Sequence, residues 1–126
     1  MTGVQTCALP ICNHGSPRAR RYEAQVTRVA VEDSYIVNGV EFDGWDGTHL
    51  IDAKGSRWQA LLEGDWAPDA EDELIAQARR QVAAVQHTGT PIQWHFAERG
   101  AVEYLQKLQR RGRFPVEIEL IYTPPA

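Results

Sequence analysis

From Ser34 to the C-terminus, short β-rich stretches alternate with two long amphipathic ones, and that alternation constrains the fold most strongly. Residues 34–37 and 40–42 flank Asn38-Gly39, a pair suited to a two-residue hairpin turn because both positions take positive φ. Asp43-Gly44 and Asp46-Gly47 add turns, residues 48–54 form the next strand, and Gly55 ends it. Residues 58–62 are a short apolar patch. Leu74, Ala78, Val82 and Val85 recur at helical spacing, so a helix capped by Asp69 is expected to run to about His87, before Gly89 and Pro91. Residues 92–96 read as a strand, and Ala101, Leu105 and Leu108 mark a helix over 98–111. Over 114–122, Phe114, Val116, Ile118, Leu120 and Tyr122 alternate as in a strand. Upstream, Ser16-Pro17 suits a helix start, with Ala19, Tyr22, Val26 and Val29 as the apolar face of a helix over about 17–28. The order helix-β-β-β-helix-β-helix-β predicts an α/β sandwich whose mixed central sheet of about four to five strands is flanked by helices.

The 126 residues (14.2 kDa) suffice for one core. With 43% hydrophobic and 24% charged residues the composition is that of a folded domain. No apolar run approaches the roughly 20 residues of a membrane span, so no membrane insertion is expected. The net charge is -4, so any basic surface that meets nucleic acid must be local. Of the 13 basic residues only Lys54 and Lys107 are lysines. Two cysteines exclude a disulfide scaffold and a four-cysteine zinc site.

Residues 1–12 carry no charge and neither a helical nor a strand period. They lack the basic start and long apolar stretch of a signal peptide. Met1 to Ile11 is the translation of a common sequencing adapter, whose last base opens the codon of Cys12. Residues 1–12 are therefore expected to be a translated adapter artefact. Residues 13–126 are expected to be the C-terminal piece of a longer protein. Cys7 and Cys12 then carry no information about redox compartment.

The chemistry concentrates in residues 41–55. Side chains alternate along a strand, so Asp52 and Lys54 share a face opposite Ile51, Ala53 and His49. Asp43 lies just before, in a turn from a neighbouring strand. Two carboxylates with a lysine suit metal-dependent phosphodiester cleavage: oxygen ligands bind Mg²⁺ through one or two carboxylates, water and phosphate. The lysine would place a positive charge on the scissile phosphate or help to position the nucleophile. Spacing alone equally allows a surface ion pair on an edge strand.

Here the sequence resembles the PD-(D/E)xK nuclease superfamily, and within it the restriction endonuclease fold toxin 5 domain of bacterial polymorphic toxins. The resemblance rests on RRYEAQVT (20–27), NGVEFDGWDG (38–47), LIDAKG (50–55), QARRQ (77–81) and WHFAE (94–98), with FDG and LIDAKG the most specific. It implies a restriction-endonuclease-like fold. It also implies a DNA-cleaving toxin domain at the C-terminus of a larger effector, delivered into the cytoplasm of competitor bacteria, most simply by type VI secretion. Its partners would be a DNA substrate, a cognate immunity protein and the upstream delivery region. Carried over, Asp43 and Asp52 would be metal ligands for Mg²⁺ or Mn²⁺, the main-chain carbonyl of Ala53 another, and Lys54 the catalytic lysine. The family pattern has Glu where this chain has Asp52; the shorter side chain would draw the metal closer to the strand.

Four further sets of residues carry open readings. Gln81, one turn from Gln77, falls near the centre of an apolar stripe; its amide would bond the active-site carboxylates, a ligand water or a strand backbone. Gln25, on the first helix, is favoured over Glu23 as the helical side chain near the metal. His95, facing away from Trp94 and Phe96, is either a base or phosphate donor near the metal or a structural strand residue. Arg18, Arg20 and Arg21 with Lys107, Arg110, Arg111 and Arg113 would flank a nucleic-acid groove, or the second set would only complement a helix dipole. Glu63, Asp65, Asp69, Glu71, Asp72 and Glu73 are expected to point away from it. No zinc-ligand spacing links the histidines and cysteines. Three functions follow: a Mg²⁺-dependent DNA endonuclease toxin, an RNA or tRNA nuclease on the same fold, and an inactive nuclease fold used for binding. Convergence of Asp43, Asp52, Lys54 and Gln81 separates the first two from the third.

Overall fold

The structure is a computed structural model that describes residues 3–6, 17–27 and 33–126. In chain order its elements are β1 (Gly3–Thr6), α1 (Pro17–Thr27), β2 (Asp33–Val37), β3 (Val40–Phe42), β4 (Gly44–Trp45), β5 (Leu50–Lys54), α2 (Trp58–Glu63), α3 (Ala67–Ala84), β6 (Ile92–Phe96), α4 (Arg99–Arg110) and β7 (Ile118–Tyr122).

Asn38 and Gly39 take φ of 49° and 80° and close the β2–β3 hairpin as their residue types predict. Asn38 also donates from Nδ2 to the Ala84 carbonyl at 2.7 Å, tying the turn to the end of α3. β1, β2 and β3 form an antiparallel sheet; a second sheet runs β4-β5-β6-β7. In the second sheet β4–β5 is antiparallel, while β5–β6 and β6–β7 are parallel. The expected mixed α/β architecture is present, because a helix intervenes before each parallel strand and a turn before the antiparallel one.

The register aligns Asp52 with Trp94 and Leu120, and Lys54 with Phe96 and Tyr122. Leu50, Ile92, Trp94, Phe96, Ile118 and Leu120 pack from the sheet into the main core with Leu74 and Ala78 of α3, Leu62 of α2 and Leu105 of α4. Ile51, Ala53 and His95 alternate to the opposite face. There α1 packs along β5, and Tyr22 and Ile51 are buried outside the main cluster. The Tyr22 hydroxyl donates to the Thr123 carbonyl at 2.7 Å. Among the described residues no helix is long and apolar enough to cross a membrane.

Several elements differ from expectation. The patch 58–62 is a short helix, α2. α3 starts at Ala67 with Trp66 at its cap, so Asp69 lies in the first turn; Pro68, tolerated only at a helix start, explains the earlier onset. α3 ends at Ala84, before the turn whose Gly89 has φ 66°. The last strand starts at Ile118, because residues 115–118 form a turn in which the Ile118 N–H donates to the Pro115 carbonyl at 3.4 Å; Phe114 is buried, but Val116 is 73% exposed. Gly3–Thr6 pairs with the free edge of β2 although those residues show no strand period, since edge pairing uses main-chain groups. The expected Ser16 cap and the end of the first helix at Arg28 and Val29 lie outside the described residues.

Candidate active site

Strand alternation sends Asp52 and Lys54 of β5 to one face, and both are buried. The β4–β5 ladder stops at Gly44 opposite Ile51. Had it continued, Asp43 would face Asp52. Instead the chain peels away, and Asp43 Oδ2 accepts the Ala53 N–H at 2.8 Å. The Lys54 carbonyl accepts the Ala97 N–H at 3.1 Å on the β6 edge. Successive carbonyls of a strand point to alternate edges, so that of Ala53 points to the edge where Asp43 stands.

α1 supplies a third carboxylate. Gly44 lets it approach: a Cβ on Gly44 would lie 2.7 Å from Thr27 Cβ. Glu23, one turn before Thr27, is thereby buried against the strands and lines the same groove as Asp43 and Asp52. Burial, then the charge of Asp52, push the Glu23 carboxyl up to about 7. Burial, then Asp52 and Glu23, hold Asp43 well above the usual carboxylate range.

Lys54 Nζ lies 2.5 Å from Asp52 Oδ2. It donates to Gln77 Oε1 at 2.5 Å and sits 4.5 Å from the centre of the Trp94 ring. The approach to Asp52 is an ion pair without hydrogen-bond geometry, so Oδ2 is left without a hydrogen-bond partner. Trp94 Nε1 in turn donates to Gln81 Oε1 at 2.7 Å, and Gln81 Nε2 is buried without a partner.

Glu23, Asp43, Asp52, Lys54 and Gln77 line an open groove of about 810 Å³, whose rim includes Arg18 and Arg57. Five acidic side chains line it against three basic ones. A smaller cleft of about 300 Å³ shares Asp43, Asp52 and Gln77 with it and adds Arg80 and Gln81.

The structure therefore brings together Asp43, Asp52, Ala53 and Lys54. Gln81 borders the site, but its amide holds Trp94 rather than a carboxylate or a strand backbone. Gln25 is not brought to the site. Its Nε2 donates to the Pro124 carbonyl at 3.0 Å and its Oε1 accepts from the Ala126 N–H at 2.9 Å. Glu23 takes the expected helical position instead, because the rotation of α1 is set by the Thr27–Gly44 contact. His95 is on the other face of the sheet, in register with Ala53. Its Nδ1 pairs with Thr123 Oγ1 at 2.8 Å and its Nε2 with Gln93 Oε1 at 3.2 Å, and burial lowers its pKa. Lys107, Arg111 and Arg113 line a separate cleft with Glu63, Glu71 and Glu103 and are not among the residues that line the groove. Glu73, expected to point elsewhere, lines the groove. Gln77, Trp94 and Arg57 were not expected at the site. The spacing of Gln77 one turn before Gln81 was the available signal for the first.

Among the described residues no three His, Cys, Asp or Glu side chains form a metal-holding group by themselves. The family described as restriction endonuclease fold toxin 5 matches residues 19–99, from α1 into the start of α4, a span that includes every groove residue named above except Arg18. No curated protein sequence matches the chain significantly. With more than half of its length matched, the chain belongs to the restriction endonuclease fold toxin 5 family and is a toxin domain of nuclease fold.

Proposed function

We propose that this domain is a Mg²⁺-dependent endonuclease that hydrolyses DNA phosphodiester bonds. The carrying observation is the convergence of Asp43, Asp52 and Lys54 in one groove, with Asp52 Oδ2 held by the Lys54 ammonium. The residues fit a divalent cation. Two carboxylates and a main-chain carbonyl on one strand edge are hard oxygen donors, and Mg²⁺ usually keeps several waters, so a third acidic ligand is not required. Asp43, Asp52 and the Ala53 carbonyl would hold it; Mn²⁺ suits the same donors. When bound, the metal supplies activation of water and neutralisation of charge developing on the phosphate.

The chain's own residues do the rest. Lys54 presents a point charge to the scissile phosphate. Arg18 and Arg57 on the rim meet flanking phosphates, which offsets the acidic excess of the groove. On this reading the toxin acts in the cytoplasm of a competitor bacterium and arrives through an upstream delivery region of the same effector, by type VI secretion. A cognate immunity protein protects the producer.

Cleavage of supercoiled plasmid, in Mg²⁺ and in EDTA, with Lys54→Ala alongside, tests this. Nicking that needs both Mg²⁺ and Lys54 is the expected result. Cleavage that persists in EDTA or in Lys54→Ala discards the mechanism. Cleavage of RNA alone replaces the substrate and keeps the site.

A further inference from the structure

We infer that Gln77 is the positioning residue of Lys54, acting with Trp94, which Gln81 locks in place. The inference rests on the nuclease reading and adds a role that the family match does not assign.

A lysine ammonium rides on a flexible four-carbon stem, and immobilising it costs side-chain entropy. Lys54 Nζ has three partners here: the Asp52 carboxylate, the Gln77 amide oxygen and the Trp94 ring. They differ in what happens when a cation is bound. A cation at Asp52 competes directly with the ammonium for that carboxylate. Gln77 and Trp94 are neutral, so they hold Nζ without that competition. An ammonium has three N–H donors. Gln77 takes one, and the others are left for the substrate phosphate and the attacking water.

The support for Gln77 is built into α3. Its neighbours Leu74, Ala78 and Gln81 are fully buried, so the helix cannot slide. Gln81, one turn on, accepts the indole N–H of Trp94. Because an indole nitrogen only donates, this bond fixes which way the Gln81 amide faces. It also fixes the ring beneath Lys54. Two glutamines one turn apart thus hold the lysine, one directly and one through the tryptophan.

The test uses the whole domain and three variants. Gln77→Met keeps the volume and removes the acceptor, Gln77→Glu keeps an acceptor, and Gln77→Ala serves should Gln77→Met fail to fold. Two measurements are made. Steady-state cleavage of a DNA duplex in Mg²⁺ is expected to show kcat lowered roughly 10- to 100-fold in Gln77→Met, with KM changed less than about twofold. Gln77→Glu is expected to recover most of that loss. The second measurement is the ¹⁵N NMR signal of the lysine ammonium groups. The chain has only two lysines and Lys107 is exposed, so a slowly exchanging signal belongs to Lys54. It is expected in the wild type and in Gln77→Glu, and broadened in Gln77→Met. An unchanged Lys54 signal or an unchanged kcat in Gln77→Met overturns the positioning role. The NMR comparison needs no substrate. If the wild type cleaves no nucleic acid, the nuclease reading fails while the clamp is still decided.

Discussion

Asp43 accepts the main-chain N–H of Ala53 at 2.8 Å, where a neighbouring strand would otherwise bond. A carboxylate thus replaces one rung of a β-ladder. The strands separate at that point, and the gap becomes the groove. The same replacement keeps Asp43, half-buried, beside the buried Asp52 although both are acidic. The N–H bond favours the charged form, but burial and the neighbouring charges outweigh it. The site therefore stores repulsion that a cation can relieve.

That repulsion predicts a pH dependence of the metal-free fold. Glu23 ionises at about 7 in the folded chain against 4.5 in the unfolded one, and Asp43 is shifted the same way. A raised carboxyl pKa gives stability that is complete below the unfolded value and lost as pH rises through the folded one. Thermal unfolding in EDTA should show a higher midpoint near about pH 5 than near about pH 7.5. Glu23→Gln should remove much of the difference. Equal midpoints in the wild type would count against the cluster.

How much of this was legible beforehand differs residue by residue. The common face of Asp52 and Lys54 follows from the period of a strand, and Asn38-Gly39 announces its hairpin. The choice between Gln25 and Glu23 depends on how α1 is rotated, which a contact between Thr27 and Gly44, 17 residues apart in the chain, decides. Strand alternation makes His95 face away from Trp94. Which of them shares a face with Asp52 is set by parallel register, and register is a tertiary property. Gln81 was placed by its apolar stripe, but its partner, the Trp94 indole, comes from another strand.

Lys54 is the buried counter-ion of Asp52, so Lys54→Met should destabilise the metal-free domain by on the order of 3 kcal/mol, the usual consequence of leaving one buried charge unpaired. Mg²⁺ should restore part of that loss, because it supplies positive charge at the same carboxylate. Urea unfolding with and without Mg²⁺ measures both. A variant as stable as the wild type in EDTA would show that the ion pair contributes nothing.

Arg57 caps α2 with φ of 96°, a left-handed conformation that a residue with a side chain adopts at a cost, and it lines the groove. Arg57→Gly should raise stability by about 1 kcal/mol through release of that strain. It should also weaken binding to DNA and reduce the slope of log affinity against log salt by about 1, the contribution of one phosphate contact. Denaturation and binding titrations at several salt concentrations separate the two effects. A more stable variant with an unchanged salt slope would remove Arg57 from the interface and leave its conformation unexplained.

Gly44 joins the peeled strand to α1. A Cβ there would meet Thr27 Cβ at 2.7 Å and Thr27 Cγ2 at 2.9 Å, so one backbone must move. Gly44→Ala should cost about 1–3 kcal/mol, the range for overpacking a tight contact. It should also lower cleavage, because the displaced elements carry Asp43 and Glu23. Thr27→Ala added to Gly44→Ala should not restore stability, since the closer clash is with Cβ, which alanine retains. Thr27→Gly removes that atom and should restore part of the activity, although glycine in a helix brings its own cost of about 1 kcal/mol. Melting curves and plasmid cleavage for the wild type and the three variants check the order. Full activity in Gly44→Ala would show that α1 need not sit this close for the carboxylates to work.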